Sequence, residues 1–184
     1  MSAPSAGAGS PAVRKLDAAE AEARLADLAD ILVDAVACGA SVNFMAGFSR
    51  DEGQAFWRAQ VAGIASGEKR LLVAEQGGHL VGTVILTLAS QPNGSHRAEI
   101  GKMLVLFSAR RQGVGRRLLA AAEATAREAG RTLLLLDTET GSAGDRLYRS
   151  CGWTEFGRVP DHAFQPGGRL ADTSFFYKIL EPST

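Results

Sequence analysis

Residues 103–119 read Met103-Leu104-Val105-Leu106-Phe107-Ser108-Ala109-Arg110-Arg111-Gln112-Gly113-Val114-Gly115-Arg116-Arg117-Leu118-Leu119. An apolar strand end runs into a turn rich in glycine and arginine, and the turn opens a helix. Val114–Ala129 carries Leu118, Leu119, Ala122 and Ala126 on one face, and Gly130 closes it. Glycines at such a junction let backbone N–H groups approach an anion. The positive end of the helix dipole favours a phosphate, and Arg110, Arg111, Arg116 and Arg117 add charge. The plain alternative is a surface turn with solvated arginines. Two other phosphate loops do not fit. Gly94 and Gly101 enclose six residues, not four, and Lys102 is followed by Met103, so there is no P-loop. Leu118 stands where a dinucleotide fingerprint needs its third glycine.

The flanks supply the rest of the fold. Leu133–Asp137 is an apolar strand after the helix, so 99–137 forms a strand–helix–strand crossover, expected to be right-handed with its strands side by side and parallel. Upstream, Leu71–Glu75 and Leu80–Leu88 flank the hairpin signal Gln76-Gly77-Gly78-His79. A loop at Pro92-Asn93-Gly94 leads into a third strand, Arg97–Phe107. Further upstream, Val13–Leu16 forms a first strand, and Asp17 with Glu20 a capping box. One helix then runs through Leu25, Leu28, Ala29, Leu32 and Val36 to Gly39, and a second spans Asp51 to about Ala65, closed by Gly67. Downstream come a short helix from about Ser142 to Cys151 and strands near Trp153–Val159 and Thr173–Leu180. The order βααβββαβαββ predicts an α/β or α+β class with a mixed sheet.

Composition narrows the function. The 184 residues predict one domain with a core burying roughly 70% of the unfolded chain's surface. Residues 1–12, built from Met, Ser, Ala, Pro and Gly, are expected to be a disordered tail without signal-peptide character, and 13–184 the domain. Twenty basic and twenty acidic residues cancel, which argues against a nucleic-acid partner. No run of apolar residues is long enough for a membrane span. The two cysteines rule out a disulfide framework and point to a reducing, cytoplasmic setting. His79 sits in the hairpin turn, and His96 and His162 are loop histidines without spaced partners, so no metal site is expected.

Arg110, Gly113 and Gly115 fit the pattern Arg/Gln-x-x-Gly-x-Gly/Ala after a strand, and Leu147-Tyr148-Arg149-Ser150-Cys151-Gly152-Trp153 fits Leu-Tyr-x-x-x-Gly-Phe/Trp. Together they resemble the coenzyme A loop and the tyrosine motif of the GCN5-related N-acetyltransferase (GNAT) superfamily. Gly39-Ala40-Ser41-Val42-Asn43-Phe44-Met45, Gln91-Pro92-Asn93-Gly94, Arg97-Ala98-Glu99, Leu136-Asp137-Thr138-Glu139 and Gly168-Arg169-Leu170 resemble its tabtoxin-resistance branch, which acetylates a small β-lactam amino acid. The resemblance covers most of the chain after about residue 15. It implies the GNAT fold: a mixed sheet of six to seven strands with about four helices, strands 4 and 5 splayed around acetyl-CoA. Many relatives carry an Asn near the fourth helix to touch the pantetheine. Here the position reads Gly141-Ser142, so Ser142 replaces it or only caps the helix.

The resemblance also implies roles. Backbone amides of Met103, Leu104 and Val105 would hold the thioester carbonyl, and Arg110, Arg111, Gln112, Gly113, Val114, Gly115 and Arg116 the pyrophosphate. Tyr148 would protonate the leaving thiolate, against the alternative of a core tyrosine. Asp137 ends an apolar strand at the carboxyl edge, where α/β sheets present ligand groups, Glu99 interrupts the start of the adjacent strand, and the two could take the amine proton through water and hold a cationic acceptor. The alternative for each is a solvated charge. Glu139 ranks below them as a loop residue. Asn43 and Phe44 would line the acceptor pocket, and Cys151 is a packing residue. Residues 160–172 are long for a hairpin connection and suggest a lid or a subunit contact, as in a homodimer. The expected activity is acetyl transfer to a small-molecule amine. A protein N-terminal or lysine acetyltransferase and a non-catalytic acyl-CoA-binding domain are the competing readings.

Overall fold

The computed structural model describes residues 10–181. Its elements are β1 (Ala12–Leu16), α1 (Ala18–Ala23), α2 (Leu25–Ala37), α3 (Arg50–Ser66), β2 (Lys69–Gln76), β3 (His79–Leu88), β4 (Arg97–Val105), α4 (Val114–Glu128), β5 (Leu133–Glu139), α5 (Ala143–Ser150), β6 (Thr154–Phe164) and β7 (Leu170–Ile179). Short 3-10 turns lie at Pro92–Gly94 and Phe107–Ala109. The seven strands form one sheet in the order β1-β2-β3-β4-β5-β7-β6. Only β4 and β5 pair in parallel; the other neighbours are antiparallel.

Side-chain alternation gives the sheet two apolar faces. One core joins Leu72, Val84, Leu86, Ile100, Leu134 and Phe176 to Val114, Leu118, Leu119 and Ala122 of α4 and Tyr148 of α5. The other packs Leu71, Val73, Ile85 and Leu104 against Leu28, Ile31, Leu32 and Trp57 of α2 and α3. Each fully buried large side chain contributes about 1.5–3 kcal/mol. The close seat of α4 rests on Gly82. A Cβ there would meet the Leu104 carbonyl oxygen at 2.9 Å and Leu118 Cδ1 at 2.9 Å.

Local signals explain most boundaries. Gly77 and Gly78 both have positive φ, 58° and 82°, as the two-residue turn between β2 and β3 requires. Asp17–Glu20 forms its capping box, and Ser49–Glu52 forms a second that opens α3.

Several elements differ from the sequence reading. The first helix is two, broken at Arg24, so the helices number five among the described residues. The apolar seam from Leu25 onward belongs to α2, whereas α1 buries only Ala21. The tail reading fails at its inner end: Arg117 donates to the Pro11 carbonyl at 3.1 Å, and Ala12 already pairs with Glu75. Residues 1–9 of that tail lie outside the described ones. Residues 160–172 are not a long loop, because β6 runs to Phe164 and β7 starts at Leu170. Glu139 is the last residue of β5 rather than a loop residue.

Candidate active site

The site begins where β4 and β5 part. Their pairing covers Arg97↔Leu133, Ala98↔Leu134 and Glu99↔Leu135, and stops there. Beyond Glu99, β4 stays registered only with β3, through Leu104↔Thr83 and Val105↔Gly82, with a bulge opposite Val84. Met103, Leu104 and Val105 therefore lie where the β5 side of β4 has no strand partner. That leaves a wedge between two parallel strands, bounded by α4 on one strand's sequel and α5 on the other's.

At the mouth of the wedge, Gly113 caps α4 with φ 77°, and Arg111 is also left-handed at φ 64°. The first bond of the helix runs from Arg117 N–H to the Gly113 carbonyl. Among the described residues, the backbone N–H groups of Arg111 through Arg116 have no protein acceptor. Six consecutive donors at a helix start form a ready anion cradle. The side chains mostly shape it. Arg110 donates to the Val105 carbonyl at 3.1 Å and lies over the Phe107 ring, and Gln112 donates to the Ser108 carbonyl at 3.1 Å. Arg116 reaches Ser150 Oγ at 3.1 Å, tying α4 to α5. Val114 is buried and can serve only through its backbone. Gly115 has a packing role: a Cβ there would stand 3.1 Å from Leu147 Cδ2.

On the α5 side, Tyr148 is 5% exposed. Its ring packs 5.9 Å from Trp153 and 6.1 Å from Phe176, measured between centroids. Its hydroxyl has no hydrogen-bond partner among the described residues. Burial, then the charges of Asp137 and Cys151, push its pKa well up, so it stays protonated. Trp153 is fixed in turn by donating from Nε1 to Glu123 at 3.1 Å, and Lys178 closes on the same carboxylate at 2.8 Å. Ser142 caps α5, accepting from Asp145 N–H at 3.1 Å, and lies 3.3 Å from Thr138 Oγ1.

Glu99 and Asp137 emerge on the sheet face opposite α4. Leu134 and Leu136 point into the α4 core, so Leu135 and Asp137 point away from it, and Glu99 registers with Leu135. Neither carboxylate has a hydrogen bond or ion pair among the described residues. Glu99 is partly desolvated and faces Asp137, both of which raise its pKa. The Asp137 charge reaches Glu99, Lys102 and Tyr148, and favours the protonated form of each.

The α2–α3 loop and the β6–β7 turn form the rim. Ala46 N–H donates to the Pro166 carbonyl at 3.0 Å, and Ser41 Oγ to the Phe164 carbonyl at 3.3 Å. Asn43, at φ 74°, turns the chain and is exposed, with no hydrogen bond among the described residues. Phe44 packs against Phe48 and meets Phe56 edge-on, with centroids 4.1 and 5.4 Å away. The sequence reading missed Lys102, whose ammonium stands 5.7 Å from the Phe44 centroid and 5.3 Å from that of Phe56. A signal was present. Straight alternation would bury Lys102 beside Ala98 and Ile100, which a lysine resists, so a break in phase was required.

The Acetyltransferase (GNAT) family model matches residues 39–153 of the chain, which span both the cradle and Tyr148. Among solved structures, a ribosomal-protein-alanine N-acetyltransferase from Brucella melitensis is 28% identical with a TM-score of 0.74, covering 92% of this chain and 99% of that one. A GNAT phosphinothricin acetyltransferase from Sinorhizobium meliloti in complex with acetyl-CoA is 18% identical, TM-score 0.78, covering 95% and 94%. An N-acetyltransferase from Staphylococcus aureus is 17% identical, TM-score 0.77, covering 94% and 100%. The last two show the fold alone. With the family model across most of the chain and the splayed strands below a donor-rich helix start, the protein belongs to the GNAT family of acetyltransferases, which use acetyl-CoA as cosubstrate.

Proposed function

We propose that the protein moves the acetyl group of acetyl-CoA to the amine of a small molecule by direct transfer. The observation that carries this reading is the partnerless pair Glu99 and Asp137 at the splay, with the Asp137 charge felt at Tyr148. The residues fit the cosubstrate: the open N–H groups of Arg111–Arg116 would take its pyrophosphate, and the free side of β4 at Met103–Val105 its pantetheine and acetyl carbonyl. Ser142, spent on capping α5, adds at most a contact to the pantetheine. Bound there, acetyl-CoA supplies an activated thioester carbonyl.

The protein's residues do the rest. Glu99 and Asp137 hold the acceptor as an ammonium and take its proton through water. The free amine forms the C–N bond as the C–S bond breaks, and the extra proton then left on the nitrogen passes to solvent. Tyr148 gives its phenolic proton to the departing sulfur and regains one from solvent. Burial among Trp153 and Phe176 keeps that phenol protonated until the thiolate appears.

The motifs of the tabtoxin-resistance branch support a toxin or antibiotic amine, such as a β-lactam amino acid, and a resistance role. The two free cysteines support a cytoplasmic setting. The neutral charge supports an acceptor that is neither nucleic acid nor membrane. Exposed Phe156, Val159 and Ile179 on β6 and β7 support a homodimer. A second reading, acetylation of a protein N-terminus, is favoured by the 28% identical Brucella enzyme.

Thiol release from acetyl-CoA decides among the readings. Release with small amines and not with peptides is the expected outcome. Release with peptides alone would establish the second reading. Coenzyme A binding without release on any amine would make the domain a non-catalytic binder.

A further inference from the structure

Lys102 is a cation inside β4 with no ion pair among the described residues. It lies inside β4 with φ 47°, a left-handed conformation costly for a side chain with a Cβ. The bulge opposite Val84 creates this break and turns Lys102 off the α4 face, to the side of Phe44, Phe56 and Asp137. The Val42 carbonyl accepts from the ammonium at 3.2 Å. The other donors have no acceptor among the described residues, and no carboxylate among them lies within ion-pair range. The faces of the two rings hold the half-buried ammonium in place on one side.

The opposite signs share that sheet face without pairing. Among the described residues, Glu99, Asp137 and Lys102 form no close ion pair, although the Asp137 charge reaches Lys102. A purely cationic acceptor would satisfy the acids and leave the lysine as it is. An acceptor carrying both an ammonium and an anionic group would satisfy all three.

We propose that Lys102 is the anion-binding residue of the acceptor site, receiving the carboxylate of an acceptor whose amine is held by Glu99 and Asp137. The substrate class is then a small zwitterionic amine of the amino-acid type. This rests on the acetyl-transfer reading above. The competing role is mechanical: Lys102 pins the α2–α3 loop through Val42 and the phenylalanine rings.

The test compares acceptors that differ only at the anion. Free amino acids are screened with acetyl-CoA, and kcat/KM of the best is divided by that of its own carboxamide. In the wild type the ratio is expected to exceed about 10. Lys102→Met lowers the ratio by about 10- to 100-fold, the worth of a charge-assisted hydrogen bond, while Lys102→Arg restores part of it. Lys102→Glu turns the preference toward the carboxamide. If Lys102 only pins the loop, both acceptors lose together and the ratio holds, which would overturn the proposal. A wild-type ratio near one overturns it without any variant, so misfolding of Lys102→Met cannot shelter it. Turnover of simple amines but of no amino acid removes the zwitterion claim alone. Absence of turnover with every amine removes the acetyl-transfer reading and this proposal with it.

Discussion

Burial favours the protonated form of both Tyr148 and Glu99, with different consequences. Tyr148 loses water on nearly all sides and so holds its proton more tightly than a free phenol. Tyr148→Phe deletes one oxygen that has no partner among the described residues and keeps the ring packing. Stability should move by less than about 1 kcal/mol, and kcat should fall by about 10²–10⁴-fold with the acetyl-CoA KM nearly constant. Steady-state kinetics beside a melting curve checks this, and a loss under about threefold would reduce Tyr148 to a core residue. For Glu99 the sign is the same, but the shift lies just above the carboxylate range and so bears on neutral pH. Its carboxyl pKa is raised in the folded protein by desolvation and then by Asp137, so the folded state binds more protons than the unfolded state just above the ordinary carboxylate range. Stability therefore falls as pH rises through that window and stays lower at neutral pH. Glu99→Gln removes this penalty: the variant should melt above the wild type at pH 7 and match it more closely at pH 4. The same substitution should weaken the limb over which kcat/KM rises with pH, read from a pH–rate profile.

Among the elements, α4 matters most, and two glycines set it for different reasons. Gly113 faces open space, with nothing within 4 Å of where a Cβ would stand, yet has φ 77°. Gly113→Val should thus cost about 1–2 kcal/mol of stability through backbone strain alone. Its effect on coenzyme A should be larger, because the new side chain fills the space before the donor row. Titration calorimetry on the folded variant decides it, and unchanged affinity would contradict the cradle. Gly82 fails by contact instead. Gly82→Ala pushes α4 off β3, with an expected loss of about 1–3 kcal/mol seen in denaturant unfolding. What the sequence revealed at this scale was local. Gly77-Gly78, the Asp17–Glu20 box and the glycine turn before Val114 are written in neighbouring residues. The break at Arg24 was not, because the Arg24 carbonyl still accepts from Leu28 N–H and the helical period survives it. The length of β6 was hidden by Pro160 and Asp161. An edge strand can spare the proline N–H, and the register shift between Val159 and Ala163 absorbs the left-handed Asp161 at φ 50°.

Across the whole molecule, the site is a place where regular pairing stops. The sheet holds β4 and β5 together for three registered pairs, then releases them, and each strand delivers its charged residue at the release. Glu99, Asp137 and Tyr148 could be named as candidates because Tyr148 lies in a motif, Asp137 follows the apolar run Leu133–Leu136, and Glu99 is a charge that interrupts the start of a strand. Lys102 could not, since its place depends on a bulge that β3 imposes across the ladder. Asp137 is the hub, because its charge reaches Glu99, Lys102 and Tyr148. Asp137→Asn keeps the shape and removes that charge, so it tests the acid-pair mechanism most directly, through thiol release from acetyl-CoA measured beside calorimetric binding of coenzyme A. The expected result is binding within about threefold of the wild type and kcat lower by about 100-fold or more. Turnover within about threefold of the wild type, in a folded Asp137→Asn that still binds coenzyme A, would contradict that mechanism.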